Sequence, residues 1–156
     1  MNTTFRKSST PAVITRLLCC LALVLSLGNC VHQSTRQLAP SMSPQRLQQM
    51  KTFYVRKHAD DDYKVGEGIA AQLQSMGYRA SVGSSQKSPG SVDAVITYTD
   101  KWFWDITMYM LSLDVQVREP GSDMVLASAT TVRSSLVRKS QKEMIRETME
   151  KLITNP

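Results

Sequence analysis

The stretch between Ile106 and Val132 constrains the fold most. Over Ile106–Arg118 apolar and polar residues alternate, with Leu111, Leu113, Val115 and Val117 on one side of an extended chain and Ser112, Asp114, Gln116 and Arg118 on the other. A period of two belongs to a strand with one buried and one wetted face. Glu119-Pro120-Gly121-Ser122 follows, with Pro and Gly in the order a type II turn favours. Met124–Val132 then returns with Val125, Ala127 and Ala129 alternating. Two such strands joined by such a turn predict a hairpin.

Other segments supply the remaining elements. Thr52–Arg56 is β-branched and aromatic and predicts a strand. Asp60-Asp61-Asp62 then opens a helix, in which Val65, Ile69, Leu73 and Met76 recur at spacings of four, four and three, Ala70 widens the stripe, and Gly77 is the stop. Residues 79–91 hold a short strand and a loop, and Val92–Thr99 predicts a second main strand. Ser140-Gln141-Lys142-Glu143 matches a capping box, followed by Ile145, Met149 and Leu152 on one helical face with Met144 and Ile153 beside them. The order β-α-β-β-β-α predicts an α+β fold: a mostly antiparallel sheet of about four strands with two helices packed on one face. That domain is assigned to residues 51–156.

The first 29 residues read as an export signal. Arg6, Lys7 and Arg16 give a basic start, and Leu17–Leu27 is an apolar core of 11 residues. That is short of the roughly 20 apolar residues a spanning helix needs. Two cleavage sites compete. One lies before Cys30; the other lies before Asn29, with Ser26 and Gly28 as the small residues of an ordinary signal. Leu27-Gly28-Asn29-Cys30 resembles the lipobox of bacterial lipoproteins, with Asn29 standing where that family has Gly, Ala or Ser. The resemblance implies diacylglycerol on the Cys30 sulfur, cleavage before it, and acylation of the new amino group. Cysteine usage favours this site. Cys19 and Cys20 lie in the apolar core and would leave with it, so Cys30 would be the one thiol of the mature chain. A lone thiol in an oxidising compartment calls for an explanation, and lipidation provides one. Val31, where retained lipoproteins of enterobacteria carry Asp, implies the outer membrane on its periplasmic side. Residues 30–50 then read as the lipidated Cys and a flexible tether, being polar with Pro40 and Pro44.

Charge and motifs exclude several function classes. The net charge of +6 includes three basic residues of the signal; the remainder carries 16 basic and 13 acidic residues, a balance of +3. No basic stripe for nucleic acid is present. Arg133, Arg138, Lys139 and Lys142 form a local run that reads as solvated surface, with anionic headgroups as the alternative. His58 is the sole base candidate of the domain, no Gly-x-Ser-x-Gly elbow occurs, and Gly66-Glu67-Gly68 lacks the spacing and Lys of a phosphate loop. His58 near Asp60, Asp61 and Asp62 matches no zinc or calcium spacing, and aspartates at a helix start serve as caps. The sequence therefore predicts no catalytic residues, no metal and no cofactor other than the covalent lipid on Cys30.

Trp102, Phe103 and Trp104 are the candidate partner or membrane contact. They sit between two strands, and consecutive residues of an extended chain point to both faces, so they cannot all share one core. At least one Trp of a hairpin loop should be exposed, and exposed Trp marks a protein interface or a membrane-interface anchor; the alternative is that Trp102 and Trp104 cap the sheet's edge or pack under the helices. The element order also resembles the small α+β domains of periplasmic and outer-membrane lipoproteins of envelope assembly and secretion, through Val92-Asp93-Ala94-Val95-Ile96, Leu111–Val117, the Pro-Gly turn and Met124–Ala129. This implies a non-catalytic envelope module bound to the membrane by its lipid and to another envelope protein. The alternative is a carrier of a lipid or small amphiphile, marked by an apolar cavity lined with Met and Trp.

Overall fold

The computed structural model describes residues 33–86 and 89–154. Their elements are β1 (Gln33–Leu38), α1 (Pro44–Gln49), β2 (Thr52–Arg56), α2 (Val65–Ser75), β3 (Arg79–Gly83), β4 (Ala94–Trp104), β5 (Met108–Arg118), β6 (Val125–Val132) and α3 (Gln141–Ile153). The expected α+β class holds. The sheet, however, has six strands rather than about four and is mixed, in the order β1-β6-β5-β4-β2-β3. β2 lies parallel to both β3 and β4, while the other neighbours are antiparallel. The parallel pairs follow from connectivity. β2, α2 and β3 form a crossover in which the helix returns the chain, so the next strand must run in the first one's direction.

The stretch over residues 33–49, expected as a tether, is folded. Gln33–Leu38 is an edge strand paired antiparallel to β6, from Gln33↔Val132 to Leu38↔Ala127. Its polar composition suits an edge that water reaches. Pro44–Gln49 is a short helix capped by Ser43, whose hydroxyl accepts from Arg46 N, and it buries Leu47 completely.

The core lies on the helix side of the sheet. Phe53, Val55, Ile96, Leu113, Val115, Val117, Ala127 and Ala129 pack beneath Ile69 and Leu73 of α2 and Met144, Met149 and Leu152 of α3. The methionines here fill core space, as unbranched polarizable side chains do. The Ser140 box forms as read: its hydroxyl accepts from Glu143 N, and its own N–H donates to Glu143 Oε2 at 3.0 Å. Gly121 takes φ +90° in the β5–β6 turn, the positive φ a type II turn needs at that position.

At the start of α2, Asp61 does the capping. Lys64 precedes the helix at φ 55°, and the Asp61 carboxylate accepts from Val65 N at 2.7 Å and Gly66 N at 3.0 Å. The buried Tyr98 hydroxyl donates to the same carboxylate at 2.8 Å. Burial raises the carboxyl's pKa, but the bonds from Gly66, Val65 and Tyr98 outweigh it and leave the group below the ordinary Asp value. Burial and the neighbouring carboxylate push the Tyr98 phenol upward.

Candidate functional site

β4 does not stop at Thr99, as read from sequence, but runs on through the aromatic cluster to Trp104. Asp105-Ile106-Thr107 is the turn, and β5 starts at Met108. The register slips at Lys101/Trp102: Lys101 faces Ser112 and Trp102 faces Met110, so Leu111 has no opposite residue. This bulge takes Leu111 out of the alternating row expected for it and lets the last three pairs, Trp102↔Met110, Phe103↔Tyr109 and Trp104↔Met108, continue as a narrow ribbon.

The ribbon sorts the three aromatic residues differently. Trp102 is half-buried, packs against the core and stacks on Tyr63 at 3.9 Å between ring centroids and 23°. Its indole N–H donates to Asp100 at 2.6 Å. Phe103 lies on the opposite face, 51% exposed, with its ring edge on Tyr109 at 5.9 Å. Trp104 follows on the Trp102 face and is 65% exposed. Ile106, at the turn, is 86% exposed, and Met108 beside Trp104 is also exposed. Leu136, 80% exposed, adds a further apolar side chain from the β6–α3 connection.

That connection is fastened to the turn by Arg138. Its guanidinium donates to both oxygens of Asp105 and to Thr107 Oγ1 at 2.8 Å, and it lies over the Tyr109 ring at 4.5 Å. Asp105 also accepts from Ile106 N. These bonds hold the Asp105 carboxyl below its usual range, the turn's own N–H contributing most. The tip is thus an apolar ribbon on both faces, with the Asp105 and Thr107 side chains and Ile106 N of its turn paired internally.

The basic run read as solvated surface is largely neutralised. Arg133 is buried and donates to both oxygens of Glu147, Lys139 donates to Glu147 at 2.8 Å, and Arg138 is bound as above. His58 is partly exposed, with Nε2 3.0 Å from the Tyr98 carbonyl oxygen and 4.0 Å from Asp100 Oδ1, and its ring lies 4.4 Å from that of Tyr98. Asp60 and Asp62 are exposed, so of the three aspartates Asp61 alone takes the capping place. Among the described residues no group of three or more His, Cys, Asp or Glu is placed to hold a metal ion. Asn29 and Cys30 lie outside the described residues.

Two concavities lie among the described residues. A groove of about 560 Å³ runs between α2 and α3, lined by Gly68, Ala71, Gln72, Ser140, Lys142 and Ile145. It contains none of the Met and Trp side chains expected of an amphiphile site. On the sheet face away from the helices, a polar hollow of about 290 Å³ is spanned by Arg118, which donates to Thr97 at 3.0 Å and Gln116 at 2.6 Å, and by Arg56 paired with Asp123 at 3.1 Å.

Sequence reasoning missed Ile106 and Met108 as members of the exposed cluster and did not single out Leu136. Continuing β4 through the β-favouring run at 102–104 would have placed the turn at 105–107 and exposed Ile106. Leu136-Val137 stands out as an apolar pair inside a polar connection.

No protein-family model matches the chain, and no curated protein matches it. Among solved structures it is similar to the PelC dodecamer from Paraburkholderia phytofirmans in two crystal forms. The first has 12% identity and a TM-score of 0.53, covering 79% of this chain and 99% of that one. The second, a substituted variant, has 13% identity and a TM-score of 0.52, covering 79% and 98%. At such identity the likeness is one of fold.

Proposed function

We propose that this chain is a bacterial envelope lipoprotein, acylated on Cys30, whose domain works by contact rather than by catalysis, as an interaction or assembly module on the periplasmic side of the outer membrane. The observation that carries the reading is the hairpin tip. Phe103, Trp104, Ile106 and Met108 are exposed together on a ribbon braced at its base by the Trp102–Tyr63 stack and at its turn by the Arg138–Asp105 pair. Large apolar groups clustered on a braced element mark a contact surface, since scattered single ones need no explanation but a cluster does. Lipidation is supported by Leu27-Gly28-Asn29-Cys30 following a short apolar core, and the outer-membrane address by Val31. Three acyl chains exceed the two membrane signals that stable anchoring takes.

The test is the intact mass of the mature protein from bacterial membranes, beside a Cys30→Ser variant. The reading expects a chain beginning at Cys30 with added acyl mass, and a variant that stays unprocessed. An unmodified chain beginning at Asn29 in the soluble fraction would remove the anchor and leave a secreted domain.

A further inference from the structure

Strand register fixes which end of the domain the anchor leaves from. Gln33 pairs with Val132, Val132 with Ser112, and Ser112 with Lys101, so these four residues form one row across β1, β6, β5 and β4. β1 begins at this row. So does the hairpin tip, because Trp102–Trp104 and Met108–Leu111 lie beyond it on the same side. The β6–α3 connection leaves there too, with Arg133 N donating to Leu111 O at 2.9 Å.

Distances along the strands match. Trp104 is three residues past the row, about 10 Å at roughly 3.3 Å per residue. Cys30 precedes Gln33 by three residues, which span at most about 11 Å however they are arranged. The lateral offset is three strand spacings, about 14 Å. With Gln33 held in the sheet there is no long spacer between the lipid site and the fold. A surface that holds acyl chains on Cys30 therefore lies within reach of the tip.

The tip's chemistry fits that surface. It is apolar on both faces, Phe103 on one and Trp104 with Met108 on the other, with Ile106 at its end. A flat protein partner would cover one face of such a ribbon; a bilayer interface surrounds it. Tryptophan favours the headgroup boundary. The headgroup boundary holds water, so the outward backbone groups of a two-stranded ribbon keep hydrogen-bond partners there, while the inward ones pair up to Trp104↔Met108 and Asp105 accepts from Ile106 N in the turn.

We infer that Phe103, Trp104 and Ile106 insert into the same leaflet that holds the Cys30 acyl chains, so that the domain is seated on the membrane at two points, with the β5–β6 turn and α1 facing away. This rests on the lipoprotein reading above.

The chain's two tryptophans, Trp102 and Trp104, are both in this ribbon, which makes intrinsic fluorescence the direct readout. The acylated mature protein is reconstituted in phosphatidylethanolamine–phosphatidylglycerol vesicles with and without lipids brominated near the headgroup end of the acyl chain. The inference expects bromolipid to quench most of the Trp104 emission and aqueous iodide to quench little of it. A Trp104→Phe variant, whose exposed ring leaves the core untouched, should lose the bromolipid-sensitive component while staying vesicle-bound. Vesicle-bound protein whose Trp104 is quenched by iodide but not by bromolipid overturns the insertion and leaves the lipoprotein reading intact. Shielding from both quenchers points to a protein contact at the tip and also overturns it. Failure of acylation is read separately, from the mass of the same preparation.

Discussion

Replacing Asp61 with Ala removes two things at once. The first is the cap: Val65 N and Gly66 N lose their acceptor, which costs about 1–2 kcal/mol at a helix N-terminus. The second is the partner of the buried Tyr98 hydroxyl, and a stranded buried donor costs about 1–3 kcal/mol. The two terms share one carboxylate and do not simply add, so the expected loss is about 2–4 kcal/mol, measured by urea unfolding followed by circular dichroism. Tyr98→Phe alone should cost about 1 kcal/mol. In the Asp61→Ala background the same change should cost nothing or restore stability, because it removes a hydroxyl that no longer has an acceptor. The pH dependence has a definite sign. The folded pKa of Asp61 lies below its ordinary 3.8, so its contribution is fully present above that value and is lost as pH falls below it toward the folded value. The gap between wild type and variant should therefore close in strong acid. A loss under about 0.5 kcal/mol, the range of an ordinary surface change, or an additive double mutant, would refute the capping network.

Other consequences are as specific. An added Cβ at Gly66 would lie 2.8 Å from the Tyr98 hydroxyl oxygen and 3.3 Å from Asp61 Oδ2, so Gly66→Ala should destabilise by about 1–3 kcal/mol in the same unfolding assay. Glu147→Ala takes the carboxylate from the buried Arg133 and should cost up to about 3–5 kcal/mol, read as a lowered Tm. Burial raises the Glu147 carboxyl, but Lys139 and Arg133 lower it further, so this pair's contribution is present above the ordinary Glu value of 4.5 and fades as pH falls below it; acid titration of wild type against Glu147→Gln checks this. Converting Phe103 and Ile106 together to Ser, with Trp104 kept as the reporter, should leave stability within about 0.5 kcal/mol per site while reducing bromolipid quenching of Trp104, measured by thermal unfolding beside fluorescence quenching.

The elements legible in the sequence are those whose side chains report a buried face. Val65, Ile69 and Leu73 mark α2, Leu113, Val115 and Val117 mark β5, and the Ser140 box marks α3, because each face meets the core. β1 escaped because an edge strand is held by backbone bonds to one neighbour. Gln33–Leu38 reads as polar text, and the prolines after it suggest a linker. Parallel pairing of β2 was equally hidden, since direction is set by how α2 returns the chain and not by any residue of β2. At the tip, the need for an exposed Trp was legible from alternation. Which one was not, because it depends on the bulge at Lys101/Trp102 and on Tyr63 arriving from a distant turn to cover Trp102.

The account turns on the fold beginning within three residues of the anchor and meeting the membrane through its hairpin. Hydrogen–deuterium exchange of the acylated protein on vesicles and in detergent, read on peptides covering Gln33–Leu38 and Trp102–Met108, tests it most directly. The account predicts slow exchange of the alternate amides of Gln33–Leu38 that pair with β6, about half of them, in both settings, and extra protection of Trp102–Met108 on vesicles. Exchange over Gln33–Leu38 as fast as in an unstructured chain, with no vesicle effect at the hairpin, would contradict it and return that segment to a tether.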